Sequence, residues 1–117
     1  MTGLINGITN ISGTTAQVSI AGGGSVSPSL AGFSGAQIEI SGLNADTVTI
    51  SDAQDGQPFS PSTLLQTKAG SATVVSGATL TGAANNATYS VMNFGGNLQI
   101  TRTGSADTLI ITYKGTN

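Results

Sequence analysis

The chain has 117 residues, enough for one domain with one modest hydrophobic core. It carries three Lys and Arg against five Asp and Glu, a formal net charge of −2, and no His, Cys or Trp. This composition excludes disulfides and Ser-His-Asp catalysis. Binding to nucleic acid or to a membrane surface needs clustered Lys and Arg, and the three basic residues here are scattered.

The apolar residues indicate a folded, all-β chain. They make up 38% of the sequence and lie among Thr, Ser and 17 Gly, whereas disordered chains combine low hydrophobicity with high charge. Ile, Val and Thr separated by Gly are typical of strands joined by tight turns. A surface of Thr, Ser, Asn and Gln, with few charges to keep it soluble, is typical of a protein packed beside others.

In chain order, the first region is the N-terminal segment. MTGLINGITN has no positively charged start and no apolar stretch, so the sequence predicts no signal peptide, and no run of about 18 apolar residues predicts a membrane span. Leu4, Ile8 and Ile11 have helical spacing, but the intervening Gly and Asn make a helix costly. An extended arm or an edge strand is therefore favoured.

A Gly/Ser-rich stretch follows the first alternating run, which covers residues 14–21. It predicts an N-terminal arm and linker over residues 1–35 and a compact β-sandwich body over residues 36–117. A long surface loop within one sandwich is the alternative, and the sequence leaves both open.

Strict alternation of apolar and polar residues predicts the next strands, at 36–41 and 46–51. The residues expected to face the core are Ile38, Ile40, Val48 and Ile50. The four residues between these strands form a connection of hairpin length. A turn is predicted around Ser60–Gln66, followed by a short strand at 71–76.

The C-terminal third contains three alternating runs, at 88–94, 97–103 and 107–114. Gly95 and Gly96 separate the first two, and paired glycines favour a hairpin because both central residues of a type I′ turn need positive φ. These runs predict an antiparallel meander. With about seven or eight short strands in all, the chain is expected to form an antiparallel β-sandwich of the jelly-roll kind.

The loop Asp52-Ala53-Gln54-Asp55-Gly56 holds two of the five acidic residues. A calcium loop would need a closing Glu that does not follow, and a glycosidase pair would need aromatic residues to hold the sugar, where only Phe59 lies near. Asp and Gly are also the residues that form turns. We therefore predict a turn, with no metal, no cofactor and no enzymatic activity.

Arg102 follows Leu98 and Ile100 on the inward face of its strand. Its guanidinium is expected to reach a carboxylate or the rim and close the open end of the sandwich, with a bridge to a neighbouring subunit as the alternative.

Two strands are apolar on both faces. In the first, Tyr89 and Val91 lie on one face and Met92 and Phe94 on the other. In the second, Ile110 faces away from Leu109 and Ile111. Such strands need a second cover, either another subunit or another part of this chain. The residues predicted for a subunit interface are Tyr89, Met92, Phe94, Ile110 and Arg102.

The body resembles small β-sandwich virion proteins of tailed bacteriophages over residues 36–117. The shared pattern is a strand ending in Gly, a "DTVTI" strand with Ser, Asp-Gly and an aromatic, then Tyr-x-Val, a Gly-rich turn, an Arg-bearing strand and a last alternating strand. Here it stands as Ile38–Gly42, Asp46–Ser51, Asp55-Gly56, Phe59, Tyr89-Ser90-Val91, Gly95-Gly96-Asn97, Leu98–Arg102 and Thr108–Tyr113.

This resemblance implies a capsid decoration (cement) protein that binds the major capsid protein or another virion protein, forms a homotrimer, is made in the host cytoplasm and ends in the virion. Leu4, Ile5, Ile8 and Ile11 are the residues expected to anchor it to that partner. The alternatives are a tail or fibre component and a carbohydrate-binding or adhesive β-sandwich module.

Overall fold

A computed structural model describes residues 7–12, 15–20, 23–30, 32–68, 71–75 and 79–116. For residues 7–12, 15, 16, 18, 68 and 71 it describes the backbone alone. Twelve β-strands and one 3-10 turn lie in these ranges, and every strand pairing is antiparallel. The strands form two sheets around one apolar core, so the predicted all-β antiparallel sandwich is confirmed.

The larger sheet has seven strands. In spatial order they are β1 (Gly7–Ser12), β2 (Thr15–Ser19), β12 (Ile110–Thr116), β4 (Gly35–Ser41), β10 (Thr88–Met92), β7 (Thr63–Lys68) and β8 (Ser71–Val75). The smaller sheet has β3 (Ser25–Val26), β11 (Asn97–Thr103) and β5 (Thr47–Ala53), and β6 (Ser60–Pro61) and β9 (Thr79–Thr81) pair with opposite halves of the free edge of β5.

Alternation decides which residues enter the core, as the sequence predicted. Side chains from both sheets meet between them, and the hydrophobic strand residues that are at most 2% exposed include Ile38, Ile40, Val48, Ile50, Leu64, Leu80, Tyr89, Leu98, Ile100 and Ile111. Because side chains along a strand point alternately to its two faces, one apolar face per strand is enough to fill the space between the sheets.

The predicted hairpins at residues 42–45 and at Gly95-Gly96 are wrong. In each case the flanking strands lie in different sheets, so both connections are arches between sheets, and the predicted C-terminal meander does not form. Gly42 and Gly96 do adopt positive φ, 82° and 107°. Positive φ reverses the chain in an arch as readily as in a hairpin. In both arrangements each strand buries its apolar face against the opposite sheet.

The chain also contains more strands than the seven or eight predicted. β7 lies where a turn was expected, and the short strands β3, β6 and β9 were missed because two or three residues are too few for a periodic signal. The specific jelly-roll connectivity is not confirmed. Of the described residues, none forms a helix long and apolar enough to cross a bilayer.

The described part of residues 1–35 contributes three strands, which differs from a separate arm and linker. β2 pairs with β12, with Val18 opposite Ile111, and β3 pairs with β11. Ile20, Val26 and Leu30 are buried in the common core. These apolar residues explain the difference, because burying them against the sheets outweighs the freedom that Gly and Ser give the stretch between them. β1 lies at an edge of the larger sheet, as one of the two N-terminal alternatives predicted.

Candidate functional site

The acidic loop after β5 is a turn that its own carboxylates hold in place. Gln57 N donates to Gln54 O at 3.0 Å across Asp55 and Gly56, and Gly56 has a φ of 78°. The predicted turn is confirmed. No group of three His, Cys, Asp or Glu that could hold a metal ion occurs in the described part of the chain.

Asp52 joins three segments at this end of the sandwich. Its Oδ1 accepts a hydrogen bond from Ser62 Oγ at 2.5 Å, and its Oδ2 accepts one from Gly95 N at 2.9 Å. Asp55 lies farther out and accepts from Asn97 Nδ2 at 2.7 Å. Both carboxylates are thus engaged by neutral donors of the same chain, which is an arrangement that fixes loops.

An open polar cleft of about 380 Å³ lies beside this loop. Its walls include the Asp52 carboxylate, the amides of Gln54, Gln57 and Asn93, and the exposed side chain of Met92. Asn93 has a φ of 55°, the left-handed conformation that Asn adopts more readily than most residues. Such a cleft offers hydrogen bonds to a neutral polar ligand and no cation for an anionic one.

A second acidic cluster, which the sequence analysis did not identify, surrounds Arg102 at the other end of β5. The Arg102 side chain is 2% exposed, and its Nε donates to Asp46 Oδ2 at 3.0 Å while one terminal nitrogen donates to the same oxygen at 2.5 Å. The guanidinium also donates to the backbone oxygens of Ile20 at 3.2 Å and Asp107 at 2.6 Å. Arg102 therefore closes this end of the sandwich from inside.

Asp46 and Asp107 complete the cluster by holding backbone N–H groups. Asp46 accepts from Ala106 N at 3.0 Å and Asp107 N at 3.1 Å, and the Asp107 carboxylate accepts from the N–H groups of Asn44, Ala45 and Asp46. We call Asp46, Arg102 and Asp107 the Arg102 cluster. It ties the β4–β5 arch to the β11–β12 arch, and no buried polar side-chain atom in the described residues lacks a partner.

The electrostatics of the cluster follow from these contacts. Desolvation acts to raise the pKa of Asp46, but the hydrogen bonds from Arg102, Asp107 N and Ala106 N outweigh it and the pKa is lowered. The pKa of Asp107 is also lowered, first by the hydrogen bond from Asp46 N, against desolvation, with help from Ala45 N, Asn44 N and the Arg102 charge. Both carboxylates are held in the ionised form.

The five residues predicted for a subunit interface do not share one surface. Tyr89 is 0% exposed, donating to Asn85 O and accepting from Gln66 Nε2, and Arg102 is equally enclosed, so neither side chain can reach another subunit. Phe94 is half-buried against the core. Met92 (41% exposed) and Ile110 (47%) are the two of these five that are largely exposed. Tyr89 and Arg102 are instead core residues, because inward-facing strand positions on both sheets enclose them.

The residues predicted to anchor a partner are only partly placed. Leu4 and Ile5 lie outside the described residues. Ile8 and Ile11 belong to β1, where the backbone is described and the side chains are not.

The outer face of the larger sheet is a further candidate surface that the sequence analysis did not assign. It is formed by alternate residues of β12, β4, β10, β7 and β8: Ile110, Thr112, Lys114, Gln37, Glu39, Ser41, Thr88, Ser90, Met92, Thr63, Leu65, Thr67, Ala72 and Val74. Within this set Glu39 and Lys114 are the charged residues. The sequence already indicated the low charge of this face, because the outward positions of the predicted strands are mostly Thr, Ser and Gln, where Lys and Glu are usual.

Comparison of the chain with family models, with curated proteins and with solved structures gave no match.

Proposed function

We propose that the chain is a structural protein of a bacteriophage virion, most specifically a capsid decoration protein that stabilises the head by binding the major capsid protein. It acts through surfaces and catalyses no reaction. The resemblance over residues 36–117 supplies the virion context, and the surface described above supplies the physical support.

The observation that carries the proposal is the outer face of the larger sheet. Interfaces differ from ordinary surface mainly by depletion of charged residues at their centre, with Met, Arg and aromatic residues enriched. This face spans five strands, carries one acid and one base, and exposes Met92, Ile110 and Val74, the last to 57%. A freely solvated sheet face normally carries more charge, so this composition fits a face that meets other protein.

In this proposal the protein acts in several copies, a homotrimer by the resemblance, and the N-terminal residues Leu4, Ile5, Ile8 and Ile11 anchor it to the particle. Apolar side chains of this size contribute roughly 1.5–3 kcal/mol each when fully buried, enough for a short segment to offset the cost of its ordering.

The test uses antibodies raised against the purified protein and virions of the source phage. Regularly spaced labelling of the head is expected. Labelling confined to the tail would move the role to the tail or fibre alternative, and unlabelled virions would overturn the proposal.

Variants then locate the surface by rebinding to particles stripped of the protein. Thr112→Asp on the outer face should reduce binding at least tenfold, while Thr101→Asp, an equally half-buried Thr on the smaller sheet, should not. Removing residues 1–5 deletes Leu4 and Ile5 without touching a described strand, and should weaken binding if they anchor.

The polar cleft beside Asp52 favours the carbohydrate-binding alternative, since it combines a carboxylate with three side-chain amides. Sugar sites also want an aromatic platform, and Phe59, 37% exposed, does not line the cleft. Saccharide-induced chemical shifts at Gln54, Gln57 and Asn93, lost in Asp52→Asn, would establish this function. The absence of such shifts across neutral saccharides would exclude it.

A further inference from the structure

The edges of the two sheets are not equally protected. A free edge presents unpaired N–H and C=O groups, and proteins block it with short strands, proline, bulges or charge. In the smaller sheet, β3 and β6 have two residues and β9 three, Pro61 lies in β6, and Pro28 follows β3. In the larger sheet, the pairing of β1 shifts register between Asn10 and Ser12.

β8 has none of these protections. Its sequence is Ser-Ala-Thr-Val-Val, five residues without a charge, a proline or a glycine. One edge pairs regularly with β7, and no strand among the described residues pairs with the other. Three of the five residues are β-branched, which favours further strand pairing.

An apolar patch on the outer face continues to this edge. Val74 is opposite Leu65 on β7, and Leu65 is diagonal to Met92 on β10. Among the large hydrophobic side chains that the structure describes, Val74 is the most exposed, at 57%, and Met92 is 41% exposed. A strand added beside β8 would cover Val74 and extend this patch.

Strand direction limits what can be added. Six antiparallel steps separate β1 from β8, so the two edges of the larger sheet run in the same direction. A neighbour that offered its β1 to β8 by simple continuation of the sheet would therefore pair parallel. Two β8 strands related by a two-fold axis perpendicular to the sheet pair antiparallel, like every other pair in the molecule, and antiparallel pairing is somewhat the more stable per residue.

The geometry points to a second copy of this chain as the partner of β8, paired β8 to β8 across a two-fold axis so that the two seven-stranded sheets become one. The contact uses the same patch on both copies, so it closes as a pair and does not propagate. It does not rest on the proposed virion function. If the chain is also a trimer, the same contact links two trimers.

Full overlap of the strands fixes the register. Thr73 then lies opposite Thr73 of the second copy, Ala72 opposite Val74, and Ser71 opposite Val75. Thr–Thr and apolar cross-strand pairs are favourable, and no like charges meet. Directly opposite residues have Cα atoms about 4.5–5.5 Å apart, within the range that a disulfide can bridge.

Cysteine cross-linking tests this register, because the chain has no Cys and any disulfide in a single-Cys variant must join two copies. Thr73→Cys under mild oxidation should convert most of the protein to a covalent dimer. Ala72→Cys should cross-link at least tenfold more slowly, and so should Thr101→Cys on the smaller sheet.

Native mass measured by light scattering gives the second readout. The wild-type protein is expected at twice the 11.5 kDa of one chain or a larger even multiple. Val74→Lys should halve that mass, while Thr101→Lys, on the smaller sheet, should leave it unchanged. A monomer at all concentrations, an odd oligomer, or equal cross-linking of all three cysteine variants would overturn the inference. Virion labelling is a separate measurement, so either proposal can fail alone.

Discussion

The two ends of β5 carry carboxylates in opposite settings. Asp46 precedes the strand, is 3% exposed, and faces the guanidinium of Arg102. Asp52, near its other end, is half-buried and meets only neutral donors, Ser62 Oγ and Gly95 N. Asp55 is farther out and exposed. Thus one strand joins an end closed by buried charge to an end closed by hydrogen bonds at the surface.

From this difference we expect that burial and a counter-charge, more than proximity in sequence, determine how much a carboxylate contributes to the stability of the fold. Asp52 and Asp55 are three residues apart and conspicuous in sequence, yet both only brace loops. Asp46 and Asp107 are 61 residues apart, and the fold brings the Asp46 carboxylate and the Asp107 backbone oxygen onto one arginine. The end with the buried ion pair should therefore be sensitive to substitution and acid, and the other end tolerant.

The largest effect is expected from Arg102→Met. It keeps an apolar stem in the core but leaves the Asp46 carboxylate buried without its cation, and breaking one partner of a buried pair is strongly destabilising. We expect Tm to fall by roughly 15 °C or more, measured by circular dichroism.

The double variant Asp46→Leu/Arg102→Met is the control for that experiment. Replacing both members by apolar residues removes the unpaired charge, so it should recover part of the lost stability. If the double variant is less stable than Arg102→Met alone, the backbone contacts of Asp46 with Ala106 and Asp107 outweigh the ion pair.

Acid should act mainly at the same end. The pKa values of Asp46 and Asp107 are lowered below their ordinary 3.8 in the folded protein, so the unfolded chain takes up protons first as pH falls. The stability that these carboxylates contribute is complete above that value and is lost as pH falls through the folded-state pKa values. Tm should therefore be flat near neutral pH and drop by several degrees or more in strong acid.

Two variants test this acid dependence: Asp107→Asn removes a carboxylate of the Arg102 cluster, and Asp55→Asn removes an exposed carboxylate as the control. Asp107→Asn should lower Tm near neutral pH and flatten its acid dependence, because one of the two responsible carboxylates is gone. An unchanged acid slope in this variant would contradict the assignment to the Arg102 cluster.

The smallest effect is expected from Asp55→Asn at the exposed end. Asn keeps an oxygen that can accept from Asn97 Nδ2, and surface substitutions usually change stability by less than about 0.5 kcal/mol. Urea unfolding with and without calcium should give the same midpoint for wild type and variant. Stabilisation of wild type alone by calcium would show that the loop is a cation site.

The positions of several strands and their inward-facing residues could be predicted, because they depend on the local alternation of apolar and polar residues. The strands at 36–41, 46–51 and 97–103 alternate strictly, so their inward residues could be assigned without knowing their partners. The connections could not. Gly95-Gly96 looks like a hairpin, and whether the next strand stays in the same sheet depends on long-range pairings that no local residue encodes. Here Gly95 lies so close to Ala53 that a side chain would clash with its backbone.

The candidate sites divide in the same way. Arg102 was predicted to point inward and reach a carboxylate or the rim, because it continues the Leu98 and Ile100 face. Its partner Asp46 was not identified, since 56 residues separate them and nothing local distinguishes Asp46 from a strand-starting residue. The one available signal was the small number of acidic residues. An inward-facing arginine favours a carboxylate partner, and the chain has five acidic residues to supply it.

The sheet order has a consequence for synthesis. β12 is the last strand to be translated among those described, yet it lies between β2 and β4, near the middle of the larger sheet. The β1–β2 pair and the β4–β10–β7–β8 group can therefore join into one sheet only after β12 has left the ribosome, because β12 is the strand that lies between them. Ile38 and Ile40, which lie opposite Tyr113 and Ile111 in the β4–β12 pairing, gain these core neighbours only when the final strand is in place.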